Sequence, residues 1–204
     1  MHIITEFDDP NDPNVSPEYK ALLKKKDAEW DLLGLPHAHT ENNLQYRAVR
    51  LPFTGGMLSM TMDGKPGCTK LLGDLTNADL GSVRLLHLPN TWNHILADHA
   101  VTFRVFPINA EETLVTTKWL VHKDAIEGVD YDVSRLIEVW SETNQQDRKL
   151  AENNHLGIRG RAYRSGPYSD VIEGGTRDFV RWYSEQLLTA LDPIVTDQAM
   201  EQSA

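Results

Sequence analysis

The apolar positions of this chain fall into three successive rhythms. Between Ser16 and Gly34, Tyr19, Leu22, Leu23, Trp30 and Leu33 recur at roughly helical spacing. Ser16 is placed to cap that helix, Pro17 suits its first position, Glu18 favours its dipole, and Gly34 closes it. Lys24, Lys25 and Lys26 then fall on its wet face. From Gln45 the period shortens to two. It predicts strands over 45–51, 57–62, 82–88, 91–96, 101–106 and 114–122. Asp63-Gly64-Lys65-Pro66-Gly67 is a turn, and Asn109 to Glu112 joins the last two strands as a hairpin. After His122 the helical period returns. Residues 130–154 contain neither Pro nor Gly. Leu136, Val139, Trp140, Thr143, Asp147, Leu150 and Asn154 lie on or beside one stripe, and Gly157 and Gly160 end it. A Gly-, Pro- and Ser-rich loop over 163–175 leads to a last amphipathic helix, 178–191, carrying Phe179, Trp182, Tyr183 and Leu187. Residues 8–17, with three prolines among Asp and Asn, read as irregular, and 193–204 as a frayed tail.

Helix, antiparallel strands, long helix, terminal helix is an α+β plan with a helix on one face of a curved sheet. It lacks regular β-α alternation, and neither GxGxxG nor GxxxxGK[ST] is present. The 204 residues are expected to form one domain, 1–204. The net charge of −10, from 20 Lys and Arg against 30 Asp and Glu, argues against nucleic acid and anionic membrane surfaces as partners. Without a signal peptide or an apolar run of membrane-spanning length, the expected location is cytoplasmic. Cys68 is the single cysteine, so an internal disulfide is impossible, as is any Cys-rich metal centre.

Asp147 is the most informative residue. A carboxylate on a core-facing stripe is costly to bury without a partner, so it should be paired with a neighbouring Arg, hydrogen-bonded, at a wet edge of the helix, or else a metal ligand or general base. His94 and His99 form H-x₄-H with Asp98 between them, a set compatible with a facial triad if a remote carboxylate joins. A continuous strand would put the two imidazoles on opposite faces, whereas a turn at Ala97-Asp98 would rescue the geometry. His37 and His39 read as a surface loop, and Cys68 as a small hydrophobe. Trp92, Trp119, Trp140, Trp182, Tyr131, Tyr163 and Tyr168 are core aromatics or, alternatively, faces of a box for a quaternary ammonium. No serine has a nucleophile-elbow context.

Leu88-Pro-Asn-Thr-Trp-Asn-His-Ile-Leu-Ala-Asp-His-Ala-Val-Thr-Phe103, the stretch Thr116 to Tyr131, the stretch Trp140 to Ile158, Gly166-Pro-Tyr-Ser169 and Glu173-Gly-Gly175 occur in this order. Together they resemble the catalytic domain of Rieske non-haem iron oxygenase α subunits. The similar branch comprises the demethylases of glycine betaine and stachydrine and the carnitine and choline monooxygenases. The resemblance implies a helix-grip fold, an antiparallel sheet wrapped around a long C-terminal helix. It implies Fe²⁺ held by two His and one Asp, with Asp147 as the carboxylate ligand. Its substrate would be a small quaternary ammonium or aromatic compound, bound around Trp92, His94, Trp140, Asn144 and Tyr168. Its partners would be a Rieske centre and reductase, with a trimeric homo-oligomer as the assembly.

The family's two His ligands lie in a segment that precedes the equivalent of Ile4 to Asp9, where Met1-His2-Ile3 stands here. The Rieske domain has no counterpart, and one cysteine cannot hold a [2Fe–2S] cluster. The expectation is a truncated mono- or dioxygenase catalytic domain, inactive alone and purifying without stoichiometric iron. His94 and His99 are the reserve ligands. A non-catalytic helix-grip ligand-binding module, or an oxygenase subunit completed by a separate chain, are the alternatives.

Overall fold

A computed structural model describes residues 15–37, 40–43, 45–169 and 173–201, with 40–43 and 192–201 described by their backbone course alone. The expected irregular segment before Val15, together with His39, lies outside the described residues. Helix α1 is Pro17–Leu32. The Ser16 hydroxyl accepts from the Tyr19 N–H at 3.1 Å, and Gly34 takes the left-handed φ of 65° that stops the helix. Leu23 and Trp30 bury its inner face against Leu80 and Ala97. Lys24 and Lys25 are exposed, as expected, but Lys26 is buried. Its ammonium donates to Asp79 at 2.6 Å and Glu29 at 2.8 Å, and it is this pairing that makes a buried lysine tolerable.

Six antiparallel strands follow in a meander whose spatial order equals chain order: β1 Thr40–Asn43, β2 Tyr46–Leu51, β3 Ser82–His87, β4 Thr91–Ile95, β5 Ala100–Asn109 and β6 Glu112–Leu120. The β5–β6 hairpin has the predicted position, with Asn109 opposite Glu112. The alternating segment 57–62 forms no strand. Ser59, Met60 and Thr61 are buried in succession inside the long connection from β2 to β3, where the N–H groups of Leu58 and Ser59 both reach the Gly64 carbonyl. Alternation there follows local side-chain demands, with no neighbouring backbone to make a ladder. At the end of that connection Gly81 has φ of 67°, and a Cβ there would lie 2.3 Å from the Leu51 carbonyl oxygen.

Helix α2 is Val133–Ile158, capped by Asp132, and α3 is Gly174–Glu201, longer than the 178–191 predicted and running through the expected tail. Cross-strand register puts Val49, Arg84, His94, Val101 and Trp119 in one row, with Arg47, Leu86, Trp92, Phe103 and Thr117 in the next, all on one face. Helix α2 covers this face. Arg135 in its first turn binds Asp63 at 2.8 Å, Trp140 packs on His94 and Phe103, and Asn144 donates to Thr117 at 2.9 Å. His155 reaches Glu111 at the hairpin tip at 3.2 Å, and Arg159 binds the same carboxylate. The helix therefore runs antiparallel to β6, tied at both ends. Its burial is uneven. Leu136, Val139 and Trp140 are buried, whereas Leu150 is 70% exposed. The core lies at the sheet end closed by α1 and the 52–81 connection, and the hairpin end is open.

Candidate functional site

Two polar groupings stand inside this core. The first surrounds Asp98, which has no exposed surface. Its carboxylate accepts from Ser59 Oγ at 2.8 and 2.9 Å, from the Gly67 N–H at 2.6 Å and from His99 Nδ1 at 2.9 Å. Burial opposes its charge. The hydrogen bond and charge of His99, with the bonds from Gly67 and Ser59, prevail and hold the carboxyl below its ordinary range. This grouping fastens the 52–81 connection to the β4–β5 turn. Gly67 is also pressed against α2, since a Cβ there would meet Leu136 Cδ1 at 2.8 Å. In the sequence Asp98 stands out only as a residue between two histidines. An acidic residue in a two-residue turn, flanked by Ala and His, was the available signal, and nothing local ties it to Ser59 or Gly67.

The second grouping lies between α2 and the sheet. Trp92 stacks on Phe103 at 4.9 Å, His94 stacks on Trp140 at 4.7 Å, and Phe103 meets Trp140 edge-on at 4.9 Å. These rings use one another as partners, so this set is a packed aromatic layer. Burial, and secondarily the positive charge of Arg84, push His94 down to about 4, and its ring is neutral at pH 7. His94 Nδ1 and the indole nitrogens of Trp119 and Trp140 are buried with no hydrogen-bond partner among the described residues. Each such orphan costs on the order of 1–3 kcal/mol.

The structure brings Trp92, His94 and Trp140 into one layer, with Asn144 a turn further along α2 on Thr117. Tyr168 is 44% exposed in the segment before α3. The Leu96 N–H to His99 carbonyl bond of 2.9 Å closes a two-residue turn at Ala97-Asp98. That turn continues the register of His94 with Val101 and places positions 94 and 99 on the same, α2-facing side. The rings nevertheless have different surroundings, His94 on Trp140 and His99 on Asp98. Asp147 lies within about 20° of the Trp140 meridian of α2, by 100° per residue, yet it is exposed. His37 sits against the Trp30 ring and binds Asp27 and Asp31 at 3.1 and 2.9 Å, a structural role for a predicted loop residue. Cys68 is buried, and burial pushes its thiol up and out of reactivity. No helix among the described residues is long and apolar enough to cross a membrane.

Residues 23–189 match the profile of the ring hydroxylating alpha subunit catalytic domain. The chain belongs to this family. It is 54% identical over 191 residues to the glycine betaine monooxygenase oxygenase subunit of Pseudomonas aeruginosa strain PAO1, covering 94% of this chain and 44% of that protein. It is 49% identical over 192 residues to the subunit of the same name from Chromohalobacter salexigens, covering 94% and 43%. The chain thus spans less than half the length of these curated relatives. The resemblance implies iron for the family. Among the described residues, no group of three or more His, Cys, Asp or Glu is placed to hold a metal ion. The described residues alone do not make a three-ligand iron centre.

Proposed function

We propose that this chain is the substrate-holding part of an oxygenase catalytic domain that acts on a quaternary ammonium compound by oxidative N-demethylation. Its sheet and long helix are read as a helix-grip arrangement. Asp147 is assigned the family's carboxylate-ligand position, with the remaining iron ligands and the Rieske centre supplied by polypeptide other than these 204 residues. Trimeric assembly, a reductase partner and a cytoplasmic location belong to the same reading. The observation that carries it is similarity of about half of all positions, over 94% of the chain, to proteins named for glycine betaine oxidation.

On this reading the chain alone binds a quaternary ammonium ligand and turns nothing over. Calorimetric titration with glycine betaine and with tetramethylammonium, beside elemental analysis for iron, tests both halves. Binding of at least one ammonium compound, with iron well below one per chain, is expected. Failure of both compounds to bind sinks the substrate class. About one iron per chain, lost in Asp147→Ala, sinks the incomplete-centre reading and promotes His94 and His99 to ligands.

A further inference from the structure

The two edges of the sheet are built differently. Strand β1, Thr40–Asn43, has four residues, and its register with β2 breaks between Glu41 and Asn43. A short, irregular edge strand resists pairing with further polypeptide. Strand β6, Glu112–Leu120, has nine residues, and its register with β5 runs unbroken from Ala100 opposite Leu120 to Pro107 opposite Thr113. It contains no proline, and Lys118 is the one charged residue between Thr113 and Leu120. Among the described residues β6 pairs with β5 alone, and no backbone hydrogen bond from 112–120 leads to another element. Every second residue of such an edge strand turns its N–H and C=O outward. Leu114 and Leu120 on one face, and Val115 on the α2 side, are half-exposed, so neither face is closed over this edge.

We infer that β6 is a docking edge for one extended segment of polypeptide other than these 204 residues, which adds a strand to the six-stranded sheet. The inference rests on the reading that such polypeptide completes the domain, and it names where the join is made. The incoming strand spans about eight residues without proline, to match the ladder that β6 offers. It carries apolar or β-branched side chains toward both faces, beside Leu114 and Leu120 on one and Val115 and Trp119 on the other, whose cross-strand neighbours lie on the β5 side alone. It sets a carboxylate beside Lys118. The row that Lys118 shares across the sheet, Ala48, Leu85, Asn93 and Thr102, holds no carboxylate, and a second cation there would be repelled. In the Pseudomonas aeruginosa relative the match covers 44% of the protein, so more than half of its length is available to supply the strand. A second copy of this chain fits the edge less well. In an antiparallel pair of two β6 strands each would bring its own α2, tied over Thr117 by Asn144, above strands only about 5 Å apart, whereas packed helices need roughly 8–10 Å.

The test is amide hydrogen exchange, read by mass spectrometry, on this chain and on the whole Pseudomonas aeruginosa subunit, to which it is 54% identical over 191 residues. In this chain about half of the amides of 112–120, those facing outward, should exchange fast, whereas in the aligned segment of the whole subunit nearly all should be slow. The β3 and β4 segments, paired on both sides, should exchange alike in the two proteins. On this chain, a blocked octapeptide of alternating Thr and Val with one Glu should slow the fast amides at a concentration about fivefold lower than its twin with Lys in that place. Fast exchange of half the aligned segment in the whole subunit overturns the docking edge. So does protection of 112–120 in this chain that rises with its own concentration, which assigns the edge to a second copy. Equal slowing by the two peptides, or none by either, overturns the carboxylate beside Lys118. The completion reading fails on a different readout, iron bound by this chain alone, and the quaternary-ammonium reading on its own titration.

Discussion

Replacing Asp98 by Asn isolates a single atom's worth of charge at the best-connected point of the core. The shape is kept. Asp98 accepts from three donors, Ser59 Oγ, the Gly67 N–H and His99 Nδ1, and has no exposed surface. Asparagine offers one acceptor oxygen and turns an NH₂ group toward at least one of these donors. One or two hydrogen bonds to a charged acceptor are lost, at roughly 1.5–3 kcal/mol each, and the loss of a buried charge partner is typically about 3–5 kcal/mol. The fold should therefore lose about 3 kcal/mol at pH 7. With a urea slope of about 2 kcal/mol/M, the unfolding midpoint falls by ~1.5 M while the slope stays constant. The pH dependence has a definite sign. The folded-state carboxyl lies below its ordinary value of 3.8. Its contribution is therefore complete above that value and disappears as pH falls through the lower folded-state value. The gap between native and Asp98→Asn midpoints should be constant from pH 7 to 5 and narrow below about pH 4. A loss under about 1 kcal/mol at pH 7, or a gap that persists to pH 3, would refute the charged-hub argument.

His94 gives a second, separable pH window. Its folded-state value of about 4 lies below the ordinary 6.5, so the unfolded chain takes the proton first. Stability should fall by about 3 kcal/mol as pH drops from 6.5 toward 4. In His94→Phe, which keeps the ring stacking, this limb should flatten, as urea midpoints at pH 7, 5.5 and 4.5 will show. An unchanged slope would exclude His94 as its source. Gly81→Ala forces a side chain into a left-handed backbone position and within 2.3 Å of the Leu51 carbonyl oxygen. It should cost about 3 kcal/mol or more, and a thermal midpoint within 2 °C of the native chain would contradict the close approach.

The elements readable from sequence are those whose signal is local. Ser16-Pro17 specified the start of α1, and the turn residues between two alternating runs specified the β5–β6 hairpin. The errors arise where a distant residue decides. Lys26 looks wet by spacing and is buried because Asp79, fifty-three positions later, meets its ammonium. Residues 57–62 alternate as a strand would, but the Ser59 hydroxyl is claimed by Asp98, the Thr61 hydroxyl by Asp63 and the Lys65 carbonyl, and the N–H groups of Leu58 and Ser59 by the Gly64 carbonyl, and among the described residues no strand lies alongside. For His94 and His99 the deciding feature was the Ala97-Asp98 turn. Spacing alone left the two faces open, and one backbone hydrogen bond closes the question of register without bringing the rings together.

Asp147 shows how periodicity and burial separate. The stripe on α2 is a single pattern, and angularly Asp147 belongs to it as much as Trp140 does. Periodicity reports direction around a helix axis. Burial also needs matter opposite, and along α2 that matter changes. Trp140 faces His94 and Phe103, Asn144 faces Thr117, and one turn later Asp147 is exposed while the hairpin side offers Val115, itself 51% exposed. Asp147 therefore points toward the sheet while keeping its water. An exposed carboxylate has no burial cost for Asp147→Asn to relieve, so that substitution should leave the urea midpoint at pH 7 unchanged. Anchoring at Asn144 and again at His155 and Arg159 holds the backbone on either side of it. What the stripe carries at position 147 is direction around the helix axis, held by its neighbours, without the burial that the same direction brings at Trp140.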